Sequence, residues 1–153
     1  VGFGTCCRAT STGPPIIKST KIFLASGGRL IDTAQLYQNH QDIAVAIRES
    51  GIPREDIWIT SKVRPEDLQS ASEVVKAVDD SLKELDVEYI DLMLLHWPVD
   101  GGPNTELWRG LLQAKQAGKI LNAGVSNYNQ SDIEELVSAT GEAPVVDQIQ
   151  YHP

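Results

Sequence analysis

Apolar runs and amphipathic stretches take turns along this chain. The runs at residues 30–33, 57–63, 89–95, 121–126 and 145–149 predict strands. Between them, 41–49, 72–85, 106–117 and 131–139 predict helices, stopped by Gly51 with Pro53, by Gly118 and by Gly141 where such signals exist. The helix at 72–85 is the clearest. Val74, Val75, Val78, Leu82 and Leu85 share one face, and Glu73, Lys76, Asp80 and Lys83 lie away from it. The run at 89–95 is nearly unbroken, as expected of a strand covered by helices on both faces. Residues 1–5 predict a short strand and 6–15 a loop. Residues 16–26 predict a short helix stopped by Gly27-Gly28.

The unit recurs roughly every 25–32 residues, the length of one strand–helix pair. Alternating strands and helices favour a parallel sheet. About six strands are present, whereas a closed β/α barrel needs eight. The fold class expected is α/β, an incomplete (β/α)8 barrel with about its first six units, forming one partial domain over 1–153. An open doubly wound sheet is the competing architecture. Its glycine fingerprint is only weakly matched by Val1-Gly2-Phe3-Gly4-Thr5-Cys6-Cys7, which lacks the third glycine.

Polar residues close several of these runs. Asp32 follows Leu30-Ile31, with Tyr37 five residues on. Lys62 ends the run that begins at Ile57, and His96 ends the run from Ile90 to Leu95. In a barrel all strand carboxyl ends meet on one face. A carboxylate, a phenol, an ammonium and an imidazole would then converge.

Composition narrows the classes. The 153 residues are 41% hydrophobic and 22% charged, which is globular. A net charge of −8 without any basic block argues against a nucleic-acid or anionic-membrane partner. No apolar run approaches a membrane span. Cys6 and Cys7 are adjacent and form no CxxC pattern, so reduced thiols are the default expectation. His40, His96, His152 and the cysteines show no metal-ligand spacing. The chain starts with Val and has Met93 as its single methionine, so a fragment or processed product is expected.

Five segments then become specific. Ile31-Asp32-Thr33-Ala34-Gln35-Leu36-Tyr37-Gln38-Asn39, Thr60-Ser61-Lys62-Val63, Leu94-Leu95-His96-Trp97-Pro98, Gly124-Val125-Ser126-Asn127-Tyr128 and Gln148-Ile149-Gln150-Tyr151-His152-Pro153 occur in this order. Each resembles a signature of the aldo-keto reductases, and the resemblance is weakest over 6–28. It implies a parent that reduces aldehyde or ketone carbonyls to alcohols with NADPH, less often NADH; that parent is expected to be cytoplasmic and monomeric. Tyr37 would be the general acid, Lys62 and Asp32 would tune it, and His96 would orient the carbonyl. Ser126, Asn127 and Gln148 would bind the nicotinamide carboxamide. Thr5 and Asp32 would lie beside the cofactor, and Trp97 would line the substrate pocket. His40 stands where the family more often has Glu, and Asp147 where it often has Asn. The family's last two strands, with the stacking tyrosine and the phosphate-binding loops, have no counterpart. The 153 residues by themselves are therefore expected to be inactive. Which carbonyl is reduced is not legible, because loops set specificity.

The chemistry explains the residue types. A free phenol has a pKa of about 10 and a general acid works best near the operating pH. An ammonium about 4 Å away at an effective dielectric near 20 supplies ~4 kcal/mol, so Lys62 is expected to pull Tyr37 down. Desolvation would push Lys62 toward neutrality and Asp32 would oppose that. His96, neutral, would donate a hydrogen bond to the substrate oxygen. Ordinary readings stand beside these. Asp32 could cap a helix, Tyr37 and His96 could be packing residues, and Lys62 could be an exposed strand end. Ser126-Asn127 could be a helix-entry turn, and Gln148 could serve only backbone groups in the barrel wall. The alternative at the level of function is a non-catalytic binding or regulatory protein on the same fold.

Overall fold

Every predicted element is present and in the predicted order. The computed structural model describes residues 1–6 and 10–151. It runs β1 (Gly2–Gly4), α1 (Pro14–Ala25), β2 (Leu30–Asp32), α2 (His40–Ser50), β3 (Trp58–Val63), α3 (Ala71–Leu85), β4 (Ile90–Leu95), α4 (Asn104–Gln116), β5 (Ile120–Ser126), α5 (Gln130–Thr140) and β6 (Asp147–Gln148). Single turns of 3-10 helix at Gln35–Tyr37 and Arg54–Asp56 precede α2 and β3. The helix expected at 16–26 starts earlier, because Pro14-Pro15 occupies a first turn whose N–H groups need no partner.

The six strands pair in sequence order, each parallel to the next. No strand order reverses, so the doubly wound alternative is set aside in favour of an incomplete β/α barrel. The core lies between the sheet and its outer helices. Ile31, Ile59, Met93 and Val125 face Ile43, Val74, Val78, Leu107, Trp108 and Leu136, all buried. On α3, Val74, Val78 and Leu85 are buried, while Leu82 packs partly buried against the same cluster. A Ser70–Glu73 capping box starts this helix.

β6 is shorter than the run at 145–149 suggests. The ladder begins with Val145 N–H to Ala123 O and Val125 N–H to Val146 O. Only Asp147 and Gln148 pair as strand with β5. Val145 and Ile149 are exposed, so apolar character there does not extend the strand. Cys6 is disulfide-bonded, against the expectation of a reduced thiol. Cys7, His152 and Pro153 lie outside the described residues. Among the described residues no helix is long and apolar enough to cross a membrane.

Gly110 of α4 marks the closest approach to α3. A Cβ there would sit 2.5 Å from Val74 Cβ and 2.6 Å from Ala71 O. Helix propensity alone would favour Gly110→Ala by about 1 kcal/mol. Overpacking against backbone costs about 1–3 kcal/mol and wins. The expected outcome is a lower urea midpoint. An unchanged or raised midpoint would mean that the two helices can separate freely.

Candidate active site

Side chains alternate across each strand, so the residues that face away from the helices share the lumen. Ile31 points into the helix-side core and Asp32, next along, into the lumen. In β3, Ile59 and Val63 belong to the helix side, which turns Thr60 and Lys62 inward. Register aligns Asp32 with Thr60 and Lys62 with Leu94. His96 follows β4 directly, and its N–H bonds Val63 O at 3.1 Å. The strand ends thus deliver the acid, the ammonium and the imidazole to one place.

Lys62 is buried and its Nζ donates to Asp32 Oδ1 at 2.5 Å and to Thr33 O at 3.0 Å. Gln148 Nε2 donates to the other carboxylate oxygen, Asp32 Oδ2, at 2.7 Å. The ammonium sits 5.2 Å from the centroid of the Tyr37 ring. Tyr37 and His96 meet edge to face with centroids 5.8 Å apart. A cavity of about 340 Å³ is lined by Asp32, Tyr37, Lys62, His96, Ser126, Asn127 and Gln148, together with Ile149 and Gln150. Larger cavities lie on other faces of the molecule, away from these groups.

The electrostatics differ from expectation at one point. Burial, and then the charge of Asp32, hold the Tyr37 phenol above its ordinary value. Any pull from Lys62 is outweighed, because burial disfavours the phenolate and Asp32 both opposes it and pairs with the ammonium. Lys62 itself behaves as expected: burial lowers its pKa and Asp32 opposes the shift. Burial and the Lys62 charge lower His96 to about 4, with Asp32 opposing. His96 Nδ1 is buried and has no hydrogen-bond partner among the described residues.

The remaining expected residues are placed as follows. Ser126 Oγ donates to Gln148 O at 2.6 Å. Asn127, at φ 60°, donates through Nδ2 to His96 O at 3.0 Å and to Ser126 Oγ at 3.1 Å. Neither is the cap of α5, which is Asn129 in a box with Asp132. Thr5 is buried behind the strand end, where its N–H and its Oγ1 both bond Asp32 O at 3.0 Å. It does not line the cavity. Trp97 lies against His96 with ring centroids 4.2 Å apart, also off the cavity wall. Asp147 accepts from Tyr128 N–H at 3.3 Å.

Several supporting residues were not singled out by pattern. Buried Asn39 accepts from Thr33 Oγ1 at 2.6 Å and donates to Thr5 O at 3.1 Å and Ser11 O at 3.0 Å. Gln35 and His40 flank Tyr37 and bond both β3 or its end and α3. Gln35 is marked in the sequence only by proximity to the phenol, and His40 by that and by its departure from the family pattern.

His96 should be neutral at pH 7, and an NMR titration of its ring should give a midpoint of about 4. A folded-state pKa below the unfolded value of about 6.5 means that the native state binds fewer protons. The contribution to stability is complete above the unfolded value and is lost as pH falls through about 4. A midpoint near the ordinary value would place the imidazole in water rather than in the site.

Known proteins resemble this chain in both sequence and fold. The profile of the Aldo/keto reductase family matches residues 13–153. Glyoxal reductase of Bacillus subtilis is 37% identical over 151 residues, which is 99% of this chain and 54% of that protein. Methylglyoxal reductase DkgA of Escherichia coli is 36% identical over 139 residues, covering 90% and 50% respectively. Among solved structures, an aldo/keto reductase from Brucella melitensis superposes with a TM-score of 0.89 at 36% identity, over 99% of this chain and 58% of that one. A Bombyx mori aldo-keto reductase in complex with NADP gives 0.88 at 32% identity, over 99% and 54%. The chain spans about half the length of the curated relatives it matches.

Proposed function

The chain belongs to the aldo/keto reductase family, and on that premise we propose that the full-length protein reduces small aldehydes or ketones to alcohols with NADPH. The observation that carries this reading is the meeting of Asp32, Tyr37, Lys62 and His96 on one cavity. Residues 1–153 serve in it as one partial barrel domain.

The donors and acceptors at the cavity suit a nicotinamide carboxamide. Asn127 Nδ2 is engaged by His96 O and Ser126 Oγ, which leaves its carbonyl oxygen to accept from an amide. Gln148 Nε2 is engaged by Asp32, which leaves its carbonyl oxygen in the same role. When bound, the nicotinamide supplies a hydride to the carbonyl carbon. Negative charge then grows on the carbonyl oxygen, and the Tyr37 hydroxyl donates its proton there. Its raised pKa keeps that proton on the phenol at neutral pH. The phenolate left behind is stabilised by Lys62 and regains a proton from water.

His96 orients the substrate as a neutral donor. An orphaned buried N–H costs more than an orphaned acceptor, so the proton is assigned to Nε2 and Nδ1 is bare. Nε2–H then donates to the carbonyl oxygen. Residues 1–153 alone would not complete this machinery, because six strands cannot close an eight-stranded wall.

The test is a titration of the full-length protein with NADPH and NADH by fluorescence, followed by turnover assays. Methylglyoxal and simple aldehydes are suitable substrates, given the names of the relatives above. NADPH binding with carbonyl-dependent oxidation supports the reading. Binding without turnover on any carbonyl would favour a non-catalytic protein on this fold.

A further inference from the structure

Tyr37 sits in a short segment held at both ends by polar side chains that do not line the cavity. At one end, Gln35 Nε2 donates to Ala77 O at 2.8 Å and to Ser81 Oγ at 2.9 Å, both in α3. Its Oε1 accepts from Arg64 N–H at 3.0 Å, just past β3. At the other end, the buried His40 ring reaches Glu84 Oε2 of α3 through Nδ1 and Ser61 Oγ of β3 through Nε2, each at 3.0 Å. A carboxylate only accepts, so Nδ1 carries the proton and Nε2 accepts from the Ser61 hydroxyl. Each end therefore has one anchor on α3 and one on the β3 segment. The β3 anchors, Ser61 and Arg64, lie on either side of Lys62.

Between the anchors the backbone is unusual. Gln35–Tyr37 forms a 3-10 turn and Gln38 takes φ 53° in the left-handed region. That conformation is unfavourable for a residue other than glycine and persists only where the surroundings over-determine it. The two side-chain anchors supply that determination.

We propose that Gln35 and His40 are positioning residues that clamp the Tyr37 turn to β3 on both sides of Lys62 and to α3, fixing the phenol in line with the ammonium and the imidazole. The inference rests on Tyr37 as the proton donor. A displacement of about 1 Å at a reacting group can cost about 100-fold in rate. Neither clamp residue lines the cavity, so loosening one should reduce turnover without weakening cofactor binding.

The test uses Gln35→Met, His40→Gln and Glu84→Ala in the full-length protein. Glu84 is half exposed, with a side chain 48% accessible, so its replacement should fold even if the buried His40 variant does not. Three quantities are measured: kcat, the NADPH Kd, and the spectrum of carbon-13-labelled tyrosine at pH 7. The Tyr37 resonance is assigned by its loss in Tyr37→Phe. The expected result is a kcat lowered about tenfold or more with Kd held within about twofold. The Tyr37 resonance should move while that of Tyr128, packed elsewhere in the core, stays in place. Unchanged kcat with an unmoved Tyr37 resonance would overturn the inference. So would equal movement of both resonances, because the loss would then be general loosening. Full turnover in Tyr37→Phe, with the Tyr37 resonance still moving in the clamp variants, would instead overturn the proton-donor reading and leave the clamp standing as structure.

Discussion

Replacing Tyr37 by Phe in the full-length protein is expected, on the proposed function, to lower kcat for carbonyl reduction by about 100- to 10,000-fold, the usual contribution of a general acid. NADPH affinity should be almost unaffected, because the hydroxyl acts in the transition state and contributes little to ground-state binding. The ring keeps its edge-to-face contact with His96, so the cavity should keep its shape. The magnitude follows from the ordering of groups. Burial and Asp32 keep the phenol protonated, and Lys62 lies close enough to receive the phenolate charge as it forms. Without the hydroxyl, water must supply the proton. Single-turnover rates with saturating NADPH are the direct measurement, with Kd from fluorescence beside them. Turnover near the unmodified level would assign the proton to another group, and His96 would be the next to test.

Asp32→Ala is expected to have the largest effect on stability. The Lys62 side chain is only 2% exposed and would keep Thr33 O as its remaining partner. Removing one member of a buried pair typically costs about 3–5 kcal/mol, because the surviving charge is left uncompensated. The same change at Asp80, whose pair with Lys76 is exposed on α3 and screened by solvent, should cost far less. Urea titrations of the two variants at pH 7 make the comparison. The pH dependence has a definite sign. Burial already depresses the Lys62 pKa and Asp32 opposes that shift, so losing Asp32 depresses it further. The penalty exists while Lys62 is charged. It should therefore shrink as pH rises toward the ordinary lysine value of about 10.4. A loss at pH 7 no larger than that of the Asp80 variant would mean that water reaches Lys62 in the native state.

Much of this site can be read from strand ends. Asp32, Lys62 and His96 each close an apolar run, and parallel topology brings such residues together without any knowledge of contacts. Ser126 and Asn127 follow by the same logic, and the cap at Asn129 removes their ordinary reading as a helix entry. Other features were not legible. The direction of the Tyr37 shift follows first from how deeply the phenol is buried and then from the nearness of Asp32, neither of which periodicity encodes. The bonds from Gln35 and His40 to α3 join positions more than forty residues apart, and nothing in the local pattern marks their partners. At 145–149 composition overstated the strand, because pairing with a single neighbour, rather than apolar character, set its length. Trp97 packs its ring on His96 at a centroid distance of 4.2 Å, a contact that no periodicity marks.

The bond from Gln148 to Asp32 bears on the order of assembly. Every strand pairs with the next one along the chain, so backbone partners in the sheet are only 22 to 32 residues apart. Such a sheet can grow from its first strand as the polypeptide emerges from the ribosome, each step closing a short loop. The Gln148–Asp32 contact instead spans 116 residues. Closing a loop of that length costs about 4 kcal/mol of chain entropy before any constant term, so it forms once the intervening sheet has already brought the ends together. Asp32 therefore receives Lys62 early and Gln148 late. During synthesis the carboxylate passes through a stage in which one oxygen is paired and the other faces solvent, and arrival of Gln148 reports that the sixth strand has docked.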